Sequence, residues 1–374
     1  MQSVGVIGGG QLARMMHPAA IALGIELKVF AEADRSPAKS ATTKVGDYTD
    51  YAQLLEFARS VDVLTFDHEH VPTKLLERLQ AEGIAVRPGP DALVHAQNKL
   101  IMRRKIADLG LPQPAWSAAK NEADVAEFIS EYGPKIVVKT PIGGYDGKGV
   151  RIIGQVQEVA DWLENIHAFG GELLLEQKVP FVRELAQLSA RRPSGEFAAW
   201  PLVATYQTNG VCSEVIAPAP GPVDAIETLR IAKAISEGLG VTGVMAVELF
   251  ETESGEIFIN ELAMRPHNSG HFSIEGSITS QFEQHLRAVL DLPLGATDSV
   301  ADYAVMINLL GVDGENDFAR HYPVAMKRFP EAKFHLYQKQ PRAGRKMGHL
   351  TLLGNDHAEL VAAGQACREL LYNR

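Results

Sequence analysis

Two glutamates in one β-hairpin set the chemistry that this chain of 374 residues could support. Glu248 belongs to the strand-like run Val244 to Phe250. Glu261 ends the run that starts at Ile257, and Thr252-Glu253-Ser254-Gly255 forms the turn between them. Alternation puts Val244, Ala246, Glu248 and Phe250 on one face of the first strand. It puts Ile257, Ile259 and Glu261 on one face of the second. With Glu251 opposite Glu256, Glu248 faces Ile259 and Glu261 is its diagonal neighbour, roughly 7–8 Å away. Two carboxylates converging from an apolar face repel, and one would take up a proton. A hard divalent cation removes both costs, and magnesium uses one or two carboxylates together with phosphate oxygens. Two solvated glutamates are the default for an isolated hairpin. Here Arg265, His267, Asn268 and His271 crowd the Pro/Gly/Ser loop that follows, where ligands usually meet a sheet.

A second group surrounds Lys139, which closes the apolar run Lys135 to Lys139. A cationic head there is costly unless it meets an anion. The loop that follows carries Gly143, Gly144, Gly147 and Gly149, and glycines let backbone N–H groups approach an anion closely. A flexible turn with a snorkelling lysine does not account for Tyr145, Asp146 and Lys148 in the same loop. No G-K-[ST] opens a helix, so this is not a Walker loop. The strand Leu173 to Val179 turns polar at Glu176-Gln177-Lys178 and offers backbone groups to a flat base; Glu184 follows on the next strand. Lys339, Arg342, Arg345 and Lys346 place four cations within eight residues, which is a local anion site or a solvated loop.

The elements that must position these groups begin with a strand over Ser3–Ile7 and a helix after Gly8, Gly10 and Ala13. That spacing is G-x-G-x-x-A, and Glu32 ends the next strand, about twenty residues on. A glycine turn at a helix N-terminus binds any phosphate, so the dinucleotide reading is one of several. Strands and helices alternate as far as Ile84–Arg87, which predicts a parallel, doubly wound domain. His68 and His70 read as polar loop residues. One helix is expected from Asp91 to Leu109; it carries Asn98, Lys99, Arg103, Arg104 and Lys105, a basic face that is usually solvated. Gly110 to Pro114 reads as a linker. Further helices are expected over Glu122–Tyr132, Ala225–Leu239 and His357–Leu371.

The length implies two or three domains. A net charge of −10 argues against nucleic-acid and anionic-membrane partners. Two distant cysteines, Cys212 and Cys367, read as free thiols of a reducing, cytoplasmic setting. A leader and a membrane-spanning run are not expected.

A strand lysine, a glycine-rich loop, an E-Q-x-V strand end and a paired-glutamate hairpin, in that order, resemble the ATP-grasp superfamily. GVIGGGQLARMM, GGYDGKG, NELAMRPHNSGH and GRKMGHL extend the similarity to the 5-(carboxyamino)imidazole ribonucleotide synthetase (PurK) family over nearly the whole chain. The resemblance implies α/β and α+β architecture. A Rossmann-like pre-ATP-grasp domain would span 1–97, the ATP-grasp domain 98–296 and a small β-rich domain 297–374. It implies an ATP-dependent carbon–nitrogen ligase of purine biosynthesis. Such an enzyme converts 5-aminoimidazole ribonucleotide and bicarbonate, through carboxyphosphate, to the N5-carboxylated product with release of ADP and phosphate. Magnesium, or manganese, would be the metal and a homodimer the assembly.

Residue by residue, the resemblance puts Lys99 and Lys139 on the ATP phosphates. Gly144, Tyr145, Asp146, Gly147, Lys148, Gly149 and Val150 would form the flap. It gives Glu176, Gln177, Lys178 and Val179 to adenine, Glu184 to ribose and Gln207 to the nucleotide wall. Glu248 and Glu261 would bind the metal, with Asn260 beside them. Lys139, Asp146, Lys148, Arg265, His267 and Asn268 would serve the chemistry. Gly9, Gly10, Gln11, Leu12, Glu69, Tyr145, Lys339, Arg342, Arg345 and Lys346 would meet the ribonucleotide. Lys148, Gln207, Met264 and Asp67-His68-Glu69-His70 depart from the family pattern; lysine at 148 keeps a charge but lacks arginine's fork. A nicotinamide oxidoreductase resting on the N-terminal glycines is the main rival. It leaves Lys139, the flap and the paired glutamates without a task. A ligase using formate or an amino acid and a silent nucleotide-binding scaffold are the others.

Overall fold

The computed structural model describes residues 1–144, 149–208, 210–312 and 317–372. The first sheet contains β1 (Ser3–Ile7), β2 (Glu26–Ala31), β3 (Thr42–Val45) and β4 (Val63–Phe66), all parallel, in the order β3-β2-β1-β4. β1 and β4 are buried along their whole length, because helices cover both faces of a parallel sheet. The strand expected over Ile84–Arg87 shrinks to a single bridge between Leu64 and Val86.

The helix expected from Asp91 to Leu109 is two helices, Pro90–Gln97 and Lys99–Asp108. Asn98 leaves helical geometry, and its side chain accepts from the Leu100 and Ile101 amides at 3.0 and 3.2 Å. That is an N-cap, and a one-residue break of this kind leaves the apolar periodicity intact. Lys99 thereby becomes the first residue of a new helix, with Arg103 one turn along on the same side.

A second, antiparallel sheet follows, with β5 (Trp116–Ala119), β6 (Ile136–Lys139), β7 (Val150–Ile153) and β8 (Leu173–Gln177) in the order β5-β8-β6-β7. Ile136 and Val138 of β6 pack with Val125 and Phe128 of the helix Glu122–Tyr132.

The largest sheet begins with β9 (Phe181–Arg191), β10 (Phe197–Ala199), β11 (Val203–Thr208), β12 (Val211–Ala217), β13 (Gly243–Thr252) and β14 (Ile257–Ala263). It continues through β15 (Tyr303–Leu310), β16 (Lys333–Leu336) and β17 (Lys346–Gly354). The order is β14-β13-β9-β11-β12-β15-β17-β16, with β10 on β9. Among the described residues, segment 297–374 therefore builds no sheet of its own. Its strands extend the central one through antiparallel pairing of β12 with β15. Val305, Ile307 and Leu350 pack with Cys367 and Leu371 of the helix His357–Leu371 in a core that Ile216 of β12 joins.

The central hairpin differs from the expected register. Glu251 pairs with Ile257, and the ladder shifts by one residue between Glu248 and Leu249. Asn260 is the extra residue of this β-bulge, so Glu261 stands directly opposite Glu248. Ile257 and Ile259 turn to the core that holds Met245, Val247 and Leu249. Asn260 and Glu261 both line a cavity on the opposite face. A period of two cannot foresee this, because a bulge resets the alternation.

Candidate active site

The Glu248 face of β13, together with β9, β11 and β12, closes one side of a cavity of about 600 Å³; β6, β7 and β8 close the other. The size is that of a small-molecule site. Of the residues expected at a nucleotide, Lys139, Val150, Glu176, Gln177, Lys178, Val179, Glu184, Gln207, Asn260 and Glu261 line it. Phe250 and Phe181 stack at 4.5 Å and 9° on its rim and supply an apolar surface. Gly144 and Gly149 are described; Tyr145, Asp146, Gly147 and Lys148 lie outside the described residues. Gly149 has φ +76, and its carbonyl accepts from the Thr140 amide at 2.9 Å, next to the lysine that ends β6.

Lys139 is buried at 5% exposure. Its ammonium donates to Asn260 Oδ1 at 3.0 Å and lies 2.9 Å from Glu176 Oε2. The Glu176 carboxylate also accepts from Arg103 Nε at 2.6 Å. Burial alone would raise the Glu176 carboxyl, but Lys139 and Arg103 outweigh it and bring it down to about 2. Arg103 is wholly buried and spends its remaining donors on the bulge. Nη1 reaches the Ile259 carbonyl at 2.8 Å and Nη2 the Asn260 carbonyl at 2.9 Å. The guanidinium therefore holds the glutamate that orients Lys139 and the backbone that turns Glu261 into the cavity. The basic helical face read as solvated is, at this residue, wholly buried behind the cavity wall.

Lys99 Nζ lies 3.5 Å from Glu261 Oε1. Across the bulge, Glu248 Oε1 is 3.1 Å from His267 Nε2. Burial would raise the Glu248 carboxyl, but His267 outweighs it and keeps the group below its ordinary range. Glu184, on the same face of β9, is raised to about 7, first by burial and then by the negative charge of Glu248. This wall therefore gathers three carboxylates, Glu184, Glu248 and Glu261. Two opposed carboxylates and a carboxamide oxygen are hard donors of the kind a divalent cation takes.

Beyond β14, Arg265 does not enter the cavity. Its Nε is 2.7 Å from Glu69 Oε2, and Glu69 Oε1 also accepts from the Met264 amide at 3.2 Å. Glu69, expected at the ribonucleotide, thus fastens the start of this loop to the first domain. His267, Asn268 and Ser269 do line the cavity. Asn268 and Asn308 exchange amide hydrogen bonds at 3.2 and 2.7 Å. Asn308 is a buried polar residue inside an apolar strand, and this gave it no functional signal in the sequence.

The C-terminal cations separate. Lys346 lines the main cavity. Lys339 donates to Gln11 Oε1 at the start of the helix Gln11–Leu23. Arg345 bonds the Gln340 carbonyl within its own loop at 3.1 Å, and Arg342 is exposed. The N-terminal glycine turn is filled by the chain's own acids. Glu32 accepts from the Gly9 amide at 3.2 Å, and Asp67 from the Ala13 amide at 2.8 Å. A Cβ on Gly10 would sit 1.8 Å from Asp67 Oδ2. Leu12 is buried, which leaves Gln11 as the side chain presented by this turn. A dinucleotide pyrophosphate here would meet two carboxylates, which removes the support for the nicotinamide rival.

Comparison with known proteins matches residues 1–97 to the ribonucleotide synthetase preATP-grasp domain and 104–282 to the ATP-grasp domain. Residues 304–363 match the phosphoribosylaminoimidazole carboxylase C-terminal domain. The chain is 49% identical over 365 residues to the N5-carboxyaminoimidazole ribonucleotide synthase of Mycobacterium tuberculosis, covering 96% of this chain and 85% of that one. It is similar in structure to the corresponding synthetase of Thermus thermophilus, with a TM-score of 0.85 at 35% identity over 98% of both chains. The Aspergillus clavatus synthase, solved with ADP and 5-aminoimidazole ribonucleotide, superposes with a TM-score of 0.89 at 30% identity, over 100% of this chain and 99% of that one.

Proposed function

Because the chain belongs to the N5-carboxyaminoimidazole ribonucleotide synthase family of ATP-grasp ligases, we propose that bicarbonate is its carboxyl donor and that the cavity between β6–β8 and β13–β14 is where ATP activates it. The chain binds ATP and carboxylates 5-aminoimidazole ribonucleotide in purine biosynthesis. The observation that carries the site assignment is the opposition of Glu248 and Glu261 across the bulge, with Lys99 and Lys139 beside them.

Bicarbonate is a poor electrophile. One of its oxygens attacks the γ-phosphorus, the bond to ADP breaks, and carboxyphosphate results. The exocyclic amine of the ribonucleotide then attacks the carboxyl carbon, loses a proton and expels phosphate. Phosphoryl transfer needs little covalent help, so positioning and charge neutralisation dominate. Lys139, fixed by Glu176 and Asn260, and Lys99 would meet the phosphates. Glu248, Glu261 and Asn260 would hold magnesium, or manganese, which supplies charge neutralisation at the phosphoryl oxygens. Gln177 to Val179 would present backbone to adenine, and Glu184 would accept from a ribose hydroxyl. The flap 144–150 would exclude the water that destroys carboxyphosphate. His267 orients Glu248, and Asn268 is held by Asn308 beside it. The Gln11 and Lys339 side chains would receive the ribonucleotide phosphate.

The work divides among residues 1–97, 98–296 and 297–374, and the assembly is a homodimer. The free thiols Cys212 and Cys367 fit a cytoplasmic setting; no helix among the described residues is long and apolar enough to cross a membrane. The test is ADP release coupled to a reporter, with and without bicarbonate and ribonucleotide. Release that requires both supports the reading. Release with formate and a glycinamide ribonucleotide, or none with any acceptor, overturns it.

A further inference from the structure

We propose that His271 and Gln281 are positioning residues that couple the ribonucleotide end of the site to the carboxylate end, from Gln11 through hydrogen bonds to the His267 backbone and on through the His267 side chain to Glu248. The proposal rests on the functional reading above. Gln281 opens the helix Gln281–Val289 and is wholly buried. Its Oε1 accepts from the His267 amide at 2.8 Å, and its Nε2 donates to the His267 carbonyl at 2.8 Å. This double contact fixes which end of the amide is which. The same Nε2 faces His271 Nδ1 at 2.8 Å, so Nδ1 is an acceptor. His271 is also wholly buried, and burial keeps its ring neutral. Its one ring proton is therefore on Nε2.

That nitrogen faces the Gln11 amide, with 3.2 Å between His271 Nε2 and Gln11 Nε2. Gln11 Oε1, the one acceptor of that amide, takes the Lys339 ammonium. Two donors, His271 Nε2–H and the Gln11 amide nitrogen, therefore face each other while Lys339 holds the amide's one carbonyl oxygen. A phosphate oxygen arriving at Lys339 gives the ammonium a stronger acceptor. The Gln11 amide can then turn its carbonyl to His271, which completes the chain Gln11–His271–Gln281–His267. At its far end, His267 Nδ1 lies 2.9 Å from Ser269 Oγ, and Nε2 meets Glu248 at 3.1 Å. A bound ribonucleotide would so stiffen the imidazole that aims Glu248, and a nucleotide with its metal at Glu248 would stiffen the Gln11 end in return. Reciprocity is required by linkage.

Calorimetric titration tests this. The affinity of magnesium–ADP is measured on the full chain with and without saturating 5-aminoimidazole ribonucleotide. The wild type is expected to show mutual tightening of about fivefold or more, in the ordinary range of such couplings. His271→Phe keeps a ring of similar size but neither nitrogen. His271→Asn retains a polar group only on the Gln281 side. In both, the coupling factor should fall to about one, with cooperative thermal unfolding showing that the fold is intact; a purely structural role would shift the melting point and leave the factor unchanged. Independent binding in the wild type, or wild-type coupling in either variant, overturns the proposal. Absence of any ribonucleotide binding to the wild type would instead overturn the functional reading.

Discussion

Glu261 faces Glu248 across the β13–β14 ladder only because Asn260 is an extra residue in β14. The bulge also brings Asn260 to the Lys139 ammonium at 3.0 Å. One irregularity therefore supplies both an acidic pair and a partner for the buried Lys139. Glu261→Gln keeps the shape and removes one charge of the pair. Turnover should fall by about 10²-fold or more, the loss typical of removing one electrostatic stabiliser, with the unfolding curve unchanged. ADP release at saturating substrates checks this; wild-type turnover would remove Glu261 from the metal.

Arg103 is held by Glu176 and by two carbonyls of the bulge, with no exposure to water. Removing one partner of a buried ion pair strands the other. Arg103→Met should therefore cost about 3–5 kcal/mol. Arg103→Lys keeps the charge but cannot reach Glu176 and both carbonyls together. It should recover part of the stability while still raising the KM for ATP. Urea denaturation paired with steady-state kinetics separates the two effects, and a loss within 1 kcal/mol for Arg103→Met would count against the hub.

The depressed Glu176 carboxyl sets a pH dependence. Its folded value of about 2 lies below its ordinary 4.5. The ionised form is thus favoured by folding. The stabilisation is fully present above 4.5 and is lost as pH falls toward 2. Its size is about 3 kcal/mol by linkage. Urea midpoints measured from pH 6 down to pH 3 should fall for the wild type. They should fall less steeply for Glu176→Gln, which has no proton to take up. Parallel curves would show that Glu176 does not carry the effect.

Lys339 and Lys346 lie apart, one on Gln11 and the other in the main cavity. Lys339→Ala should raise the KM for the ribonucleotide by about tenfold or more, the worth of one charge-assisted hydrogen bond, and leave the KM for ATP near wild type. Lys346→Ala should change kcat as well. Equal shifts of both KM values in the Lys339 variant would detach that residue from the substrate phosphate.

Much of this site was legible in the residues themselves. Lys139 and the two hairpin glutamates are chemically costly where the strand pattern puts them, and together with Glu176 they line one cavity. The pairing register was not legible, because nothing in Ile257 to Glu261 marks Asn260 as an insertion. The split at Asn98 was missed for a related reason. A capping residue inside an apolar periodicity looks like any polar surface position until its side chain is seen on the Leu100 and Ile101 amides. Arg103, Gln281 and Asn308 act through backbone carbonyls, a histidine and another amide. Contacts of that kind depend on tertiary placement and leave no local pattern.

Antiparallel pairing of β12 with β15 joins the C-terminal strands to the sheet that carries the glutamates. A shortened protein ending before Tyr303 would leave the backbone groups of Glu214 to Ala217 without the strand they now bond. Such an open rim invites other chains to add to it. Attempts to isolate the nucleotide-binding portion should therefore yield self-associating material, unless a substitute strand or a charged blocking residue is built onto that rim.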